Sequence, residues 1–127
     1  MNKGHIYFEI QADDPKRAID FYSQSFGWKF SEVEGLPISY WRIETGGSRG
    51  GLLKRPAKAP PAQSGTNAFV CSLEVEDFDA TAKAILKLGG IVALPKFAVP
   101  GTCWQGYFVD TEGNMFGIFE VDENAGK

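Results

Sequence analysis

Two stretches of this chain carry the same structural pattern 62 residues apart. The first runs from Asp14-Pro15 through Ala18, Ile19, Phe21 and Tyr22 to Phe26-Gly27. The second runs from Glu76-Asp77-Phe78 through Ala82 and Ile85 to Leu88-Gly89. Each opens on acidic residues, repeats apolar side chains at helical spacing and stops at a glycine, the residue that most readily ends a helix in the left-handed conformation. Each follows a segment that alternates apolar and polar residues, and strand-like segments follow each in turn. A β-α-β-β-β unit used twice in 127 residues constrains the chain to one domain of two related halves with a cleft between them.

The boundaries follow from turn chemistry and periodicity. A strand is predicted over His5–Gln11 and a helix over residues 14–26, capped by Asp13 or Asp14 with Pro15 in its first turn. Strands are then predicted at Trp28–Val33, Ile38–Glu44 and Gly51–Arg55, and residues 56–66 form a Pro/Ala/Ser/Gly connector. The second half is predicted to hold a strand opening near Phe69, a helix over Phe78–Leu88 and strands at Gly90–Leu94, Gly106–Asp110 and Asn114–Val121. The modules are therefore 1–55 and 67–121, with a polar tail after them.

Strand parity separates two faces, because successive side chains point to opposite sides. In the first half Ile6, Phe8 and Ile10 form the face a helix must cover, leaving His5, Tyr7 and Glu9 opposite. In the second, Phe69, Cys71, Leu73 and Val75 are covered, leaving Val70, Ser72 and Glu74 toward the concavity. Cys71 is thus expected to be a core thiol. A carboxylate at Glu9 or Glu74 is costly if dry, so each is expected to be solvated or partnered.

A net charge of −3 gives no basic field for nucleic acid or an anionic membrane, and neither partner is expected. No apolar run approaches the ~20 residues of a membrane span. No leader is visible before the first strand, and two cysteines form no disulfide or metal pattern, so a reduced cytoplasmic protein is expected. Aromatic residues make up 13% of the chain, enough to line a small-molecule cavity as well as fill a core.

Several motifs resemble those of the vicinal oxygen chelate superfamily, which includes glyoxalase I, bleomycin-resistance proteins and extradiol dioxygenases. They are Tyr7-Phe8-Glu9-Ile10, Ala12-Asp13-Asp14-Pro15, Phe21-Tyr22, Phe26-Gly27-Trp28, Gly50-Gly51, Pro100-Gly101, Trp104 and Asp110-Thr111-Glu112-Gly113-Asn114, running on to Phe116-Gly117. The resemblance implies an α+β fold in which two β-α-β-β-β modules form a cupped eight-stranded mixed sheet with helices outside. Enzymatic members hold a divalent metal with His and Glu side chains on four strands. Carried over one at a time, those positions fall here on Tyr7, Leu52 or Leu53, Val70 and Gly117. None is a usual ligand for a hard or borderline cation, so no metal or other cofactor is expected. His5 and Glu9 are ~13 Å apart along one strand and cannot share an ion; His5 reads as a residue at the strand's frayed start.

The resemblance and the residues together lead to a metal-independent small-molecule-binding protein with an apolar and aromatic cavity. The candidate ligand-binding residues are Tyr7, Glu9, Trp41 (or its neighbour Tyr40), Val70, Glu74, Trp104, Gly117 and Phe119. Members of this size usually pair, and a homodimer is expected. The alternative is a metal-dependent lyase, isomerase or dioxygenase with displaced ligands. Cys103 is expected in a loop, where an exposed thiol would need an activating base. Lys54, Arg55 and Lys58 form a basic cluster suited to solvent or to an anionic group.

Overall fold

The computed structural model of the protein describes residues 2–57 and 68–127. In chain order the elements are β1 (Asn2–Ala12), α1 (Pro15–Phe26), β2 (Lys29–Glu32), β3 (Tyr40–Glu44), β4 (Arg49–Lys54), β5 (Val70–Val75), α2 (Phe78–Lys87), β6 (Ile91–Val99), β7 (Cys103–Val109) and β8 (Met115–Val121). The fold is α+β, and the order β-α-β-β-β occurs twice. The strands form a mixed sheet in the order β2-β3-β4-β1-β5-β8-β7-β6. Two compact units are present, Met1–Ile6 with Val70–Lys127 and Tyr7–Phe69, so β1 gives its first residues to one and the remainder to the other. Lys58 and residues 58–66 of the expected connector lie outside the described residues.

Local chemistry sets the helix ends. The Asp14 carboxylate accepts from the Arg17 backbone N–H at 3.2 Å, and Pro15 occupies the first turn, where its missing N–H costs nothing. Gly27 closes α1 at φ 72°, donating its N–H to the Ser23 carbonyl. Asp77 caps α2 in the same way through the Ala80 N–H at 3.0 Å.

In the Tyr7–Phe69 unit, α1 lays Ala18, Ile19 and Tyr22 against a core of Ile10, Ala12, Ile43 and Leu52. Phe21 stays exposed beside that stripe, with its ring edge-on to Tyr22. Lys54 and Arg55 are not a free basic patch. Lys54 Nζ donates to the Asp13 carbonyl, and Arg55 donates to the Asp13 carboxylate and the Gln11 carbonyl, clasping the end of β4 to the end of β1.

In the other unit, Phe78 anchors α2. Its ring is buried with Val75, Phe108 and Ile118, and its backbone N–H donates to Glu120 Oε1 at 2.7 Å. Lys96 Nζ bonds to Asp79 and sits 4.8 Å from the centre of the Trp104 ring, a cation–π contact that closes the same side.

Four expectations about this unit are corrected. β6 continues through Pro95 to Val99, because it is the last strand in the sheet and register shifts at Val92/Leu94 and Leu94/Phe97 accommodate the missing N–H. The residues after Val121 fold back rather than trail: Ala125 is buried, and its carbonyl accepts from the Gly101 N–H. Cys103 opens β7 between Val99 and Val121 and is buried, not in an exposed loop. Cys71 is exposed rather than core. The residues beside α2 in β5 are Leu73 and Val75, further along the strand than Cys71.

Candidate functional site

Each unit has a sheet face without a helix, and the chemistry-bearing side chains concentrate there. In the Tyr7–Phe69 unit, β1 pairs in parallel with β4, setting Tyr7 beside Arg49 and Glu9 beside Gly51; β3 pairs antiparallel with β4, setting Tyr40 beside Leu53. Tyr7, Glu9 and Tyr40 thereby share a face. Tyr40 Oη donates to Glu9 Oε2 at 3.0 Å and lies 2.8 Å from Tyr7 Oη. All three residues are half-buried. Burial first, then the negative charge of Glu9, raises the Tyr40 pKa well above its ordinary 10.0, so its hydroxyl keeps its proton. Gly51 makes room for the arrangement: a Cβ there would collide with the Tyr40 hydroxyl.

In the other unit, β5 and β8 pair in parallel with Ser72 beside Gly117 and Glu74 beside Phe119. β7 pairs antiparallel with β8, placing Tyr107 beside Gly117 and Gln105 beside Phe119. Ser72, Glu74 and Gln105 are 1%, 9% and 9% exposed, three buried polar side chains on the face away from α2. Gln105 Nε2 donates to Ser72 Oγ at 3.1 Å. His5 Nδ1 lies 2.7 Å from Glu74 Oε1; the carboxylate accepts, so Nδ1 carries the hydrogen. Val70 begins this face at the start of β5 and is half-buried. Phe97 stacks on Tyr107 with ring centres 6.4 Å apart.

The expected site residues therefore divide. Tyr7 and Glu9 come together on one helix-free face; Val70, Glu74, Gly117 and Phe119 share the other. Trp41 and Trp104 do not join them. Trp41 pairs with Leu52 and packs against the core beneath α1, while its neighbour Tyr40 takes the polar face. Trp104 packs beside Phe78 on the α2 side and donates its indole N–H to Asp122. In both cases the adjacent residue takes the other face, because one step along a strand flips the side chain. Tyr40/Arg42/Glu44 against Trp41/Ile43 already carried the signal for β3. His5 is also more than a frayed end, since it pairs with Glu74. Gln105 was missed because β7 was expected to begin at Gly106; the alternation Cys103/Gln105/Tyr107 would have exposed it.

The divalent metal implied by the family resemblance does not fit these residues. Val70 has no donor atom, and Leu52 is fully buried among apolar groups. The space where a side chain at position 117 would project is filled: a Cβ there would strike Ser72 Oγ and lie 2.7 Å from Gln105 Nε2. Among the described residues no cluster of three or more His, Cys, Asp or Glu side chains could hold a metal ion.

A family model described as the Glyoxalase/Bleomycin resistance protein/Dioxygenase superfamily matches residues 4–118. A "Glyoxylase-like domain-containing protein" of Didymella fabae is 32% identical over 121 residues, spanning 87% of this chain and 88% of that protein. Among solved structures, a hypothetical protein of Bacillus halodurans C-125 superposes with TM-score 0.69 at 19% identity, covering 95% of this chain and 96% of the other. A glyoxalase/bleomycin resistance protein/dioxygenase superfamily member of Vibrio splendidus 12B01 gives 0.66 at 15% identity, covering 91% and 97%. Methylmalonyl-CoA epimerase from Mycobacterium tuberculosis gives 0.65 at 16% identity, covering 91% and 86%. At these identities the structural likeness speaks for the fold alone.

Proposed function

Because the chain belongs to the glyoxalase/bleomycin resistance protein/dioxygenase superfamily, we propose that it is a small-molecule-binding member that works without the metal of the enzymatic branch. Binding rests on the helix-free sheet faces, through Tyr7, Tyr40 and Glu9 in one unit and Val70, Glu74, Gln105 and Phe119 in the other. The observation that carries this reading is the burial of Ser72, Glu74 and Gln105 on the face away from α2. Buried polar side chains cost free energy unless partnered. Their concentration on the face that no helix covers is what a site for orienting a ligand's polar groups requires.

The test is chemical-shift mapping of the protein with a library of aromatic fragments. Saturable shifts should appear at Tyr7, Glu9, Glu74, Gln105 and Phe119, and not at Trp41 or Trp104. Saturable shifts confined to other surfaces, or none with any fragment, would sink the reading.

The proposal extends to a homodimer working in the cytoplasm. Large apolar side chains outside both cores support the pairing, among them Leu88 at 77% and Ile91 at 61% exposed. Light scattering at micromolar concentration should return the mass of two chains; the mass of one would refute it. No helix among the described residues is long and apolar enough to cross a membrane.

A further inference from the structure

The three groups Tyr7, Tyr40 and Glu9 hold their hydrogens in one direction. A carboxylate only accepts, and a tyrosine hydroxyl has a single hydrogen to give. Tyr40 spends its hydrogen on Glu9 Oε2 at 3.0 Å. The 2.8 Å contact between the two phenol oxygens must then carry the hydrogen of Tyr7. The chain runs Tyr7 to Tyr40 to Glu9, and Tyr7 Oη meets every other polar partner through its lone pairs. Any such partner has to be a donor. Burial and the charge of Glu9 hold the proton on Tyr40, so it keeps donating to Glu9 as pH rises, and the missing side chain at Gly51 leaves Tyr40 the space to do so.

We propose that this chain fixes Tyr7 as a hydrogen-bond acceptor, so that small molecules reaching the helix-free face of the Tyr7–Phe69 unit are selected for a hydroxyl or N–H group. Carbonyl, ether and other acceptor-only groups are rejected, because two lone pairs would face each other. Rejection by a polar group left without a partner is stronger than selection by added contact. The inference rests on the small-molecule-binding reading and adds the chemical class of the ligand's polar group.

The probes are phenol and aniline, which donate, and anisole, which has the same ring but only accepts. Each is titrated into protein labelled with 13C at the tyrosine ζ carbon. Phenol and aniline should shift the Tyr7 signal saturably, with dissociation constants about tenfold below that of anisole. In Tyr40→Phe the Tyr7 hydroxyl loses the acceptor that fixes its hydrogen, and the ratio should fall to about two. Glu9→Gln offers an amide N–H to Tyr40, allowing the chain to reverse, and anisole should gain there relative to phenol. Equal binding of phenol and anisole to the parent protein overturns the proposal, as does an unchanged ratio in both variants. If the probes bind only at Glu74 and Gln105, the proposal fails while the binding reading stands. If no probe and no fragment binds anywhere, both fail.

Discussion

Gly117→Glu is expected to destabilise the protein severely and still leave it without a tightly bound divalent cation. In the register of the sheet, residue 117 lies between Ser72 and Tyr107. A Cβ there would strike Ser72 Oγ and approach Gln105 Nε2 to 2.7 Å and Tyr107 Cε1 to 3.0 Å. These neighbours come from strands on both sides, and Ser72 and Gln105 are buried, so the clash has no easy outlet. Overpacking of this kind costs about 1–3 kcal/mol. Breaking the Gln105–Ser72 hydrogen bond and leaving a buried hydroxyl unmet costs about 1–3 kcal/mol more. Gly117→Ala, which adds volume without charge, should retain the first part of the loss. Urea denaturation gives the stability, and elemental analysis after dialysis gives the metal. A Gly117→Glu protein as stable as the parent, carrying about one Ni, Zn, Fe or Mn per chain, would show that the space is open to a ligand and would revive the enzymatic alternative.

Leu52→Ala should lower stability by about 2–5 kcal/mol, the range for removing a fully enclosed leucine without collapse around the cavity. Leu52 has 0% exposure and belongs to the core of Ile10, Ala12 and Ile43 beneath α1. The packed rings of Phe8, Trp28, Trp41 and Tyr22 around that core limit how far the cavity can close. The denaturation midpoint should fall with little change in the slope, since the surface exposed on unfolding is nearly the same. A loss under about 1 kcal/mol would mean that the α1 face is looser than its burial implies. The outcome bears on the site as well. The family's ligand position fell on Leu52 or Leu53 by sequence, and Leu52 packs into the core beneath α1, leaving Leu53 on the face of Gln11 and Tyr40.

What the chain determined alone is what depends on near neighbours along it. Asp14, Asp77 and Gly27 act on backbone groups within four residues, so the helices and their ends were legible. Alternation in β1 and β5 sorted Phe8 and Ile10 from Tyr7 and Glu9, and Leu73 and Val75 from Ser72 and Glu74. The doubled β-α-β-β-β order followed from the repeat, and the α+β fold from the repeat together with the family resemblance. Tertiary structure decided the partners. His5 meets Glu74 from 69 residues away, Tyr40 reaches Glu9 across 31, and Gln105 bonds to Ser72 across 33. Such pairs depend on strand register, which no local spacing encodes, and on where each strand starts. Trp41 and Trp104 pack toward the cores, opposite Tyr40 and Gln105, because side chains on a strand alternate with a period of two. Burial of the cysteines was also a tertiary matter: Leu73 and Val75, not Cys71, lie beside α2, and Cys103 is buried at the first residue of β7.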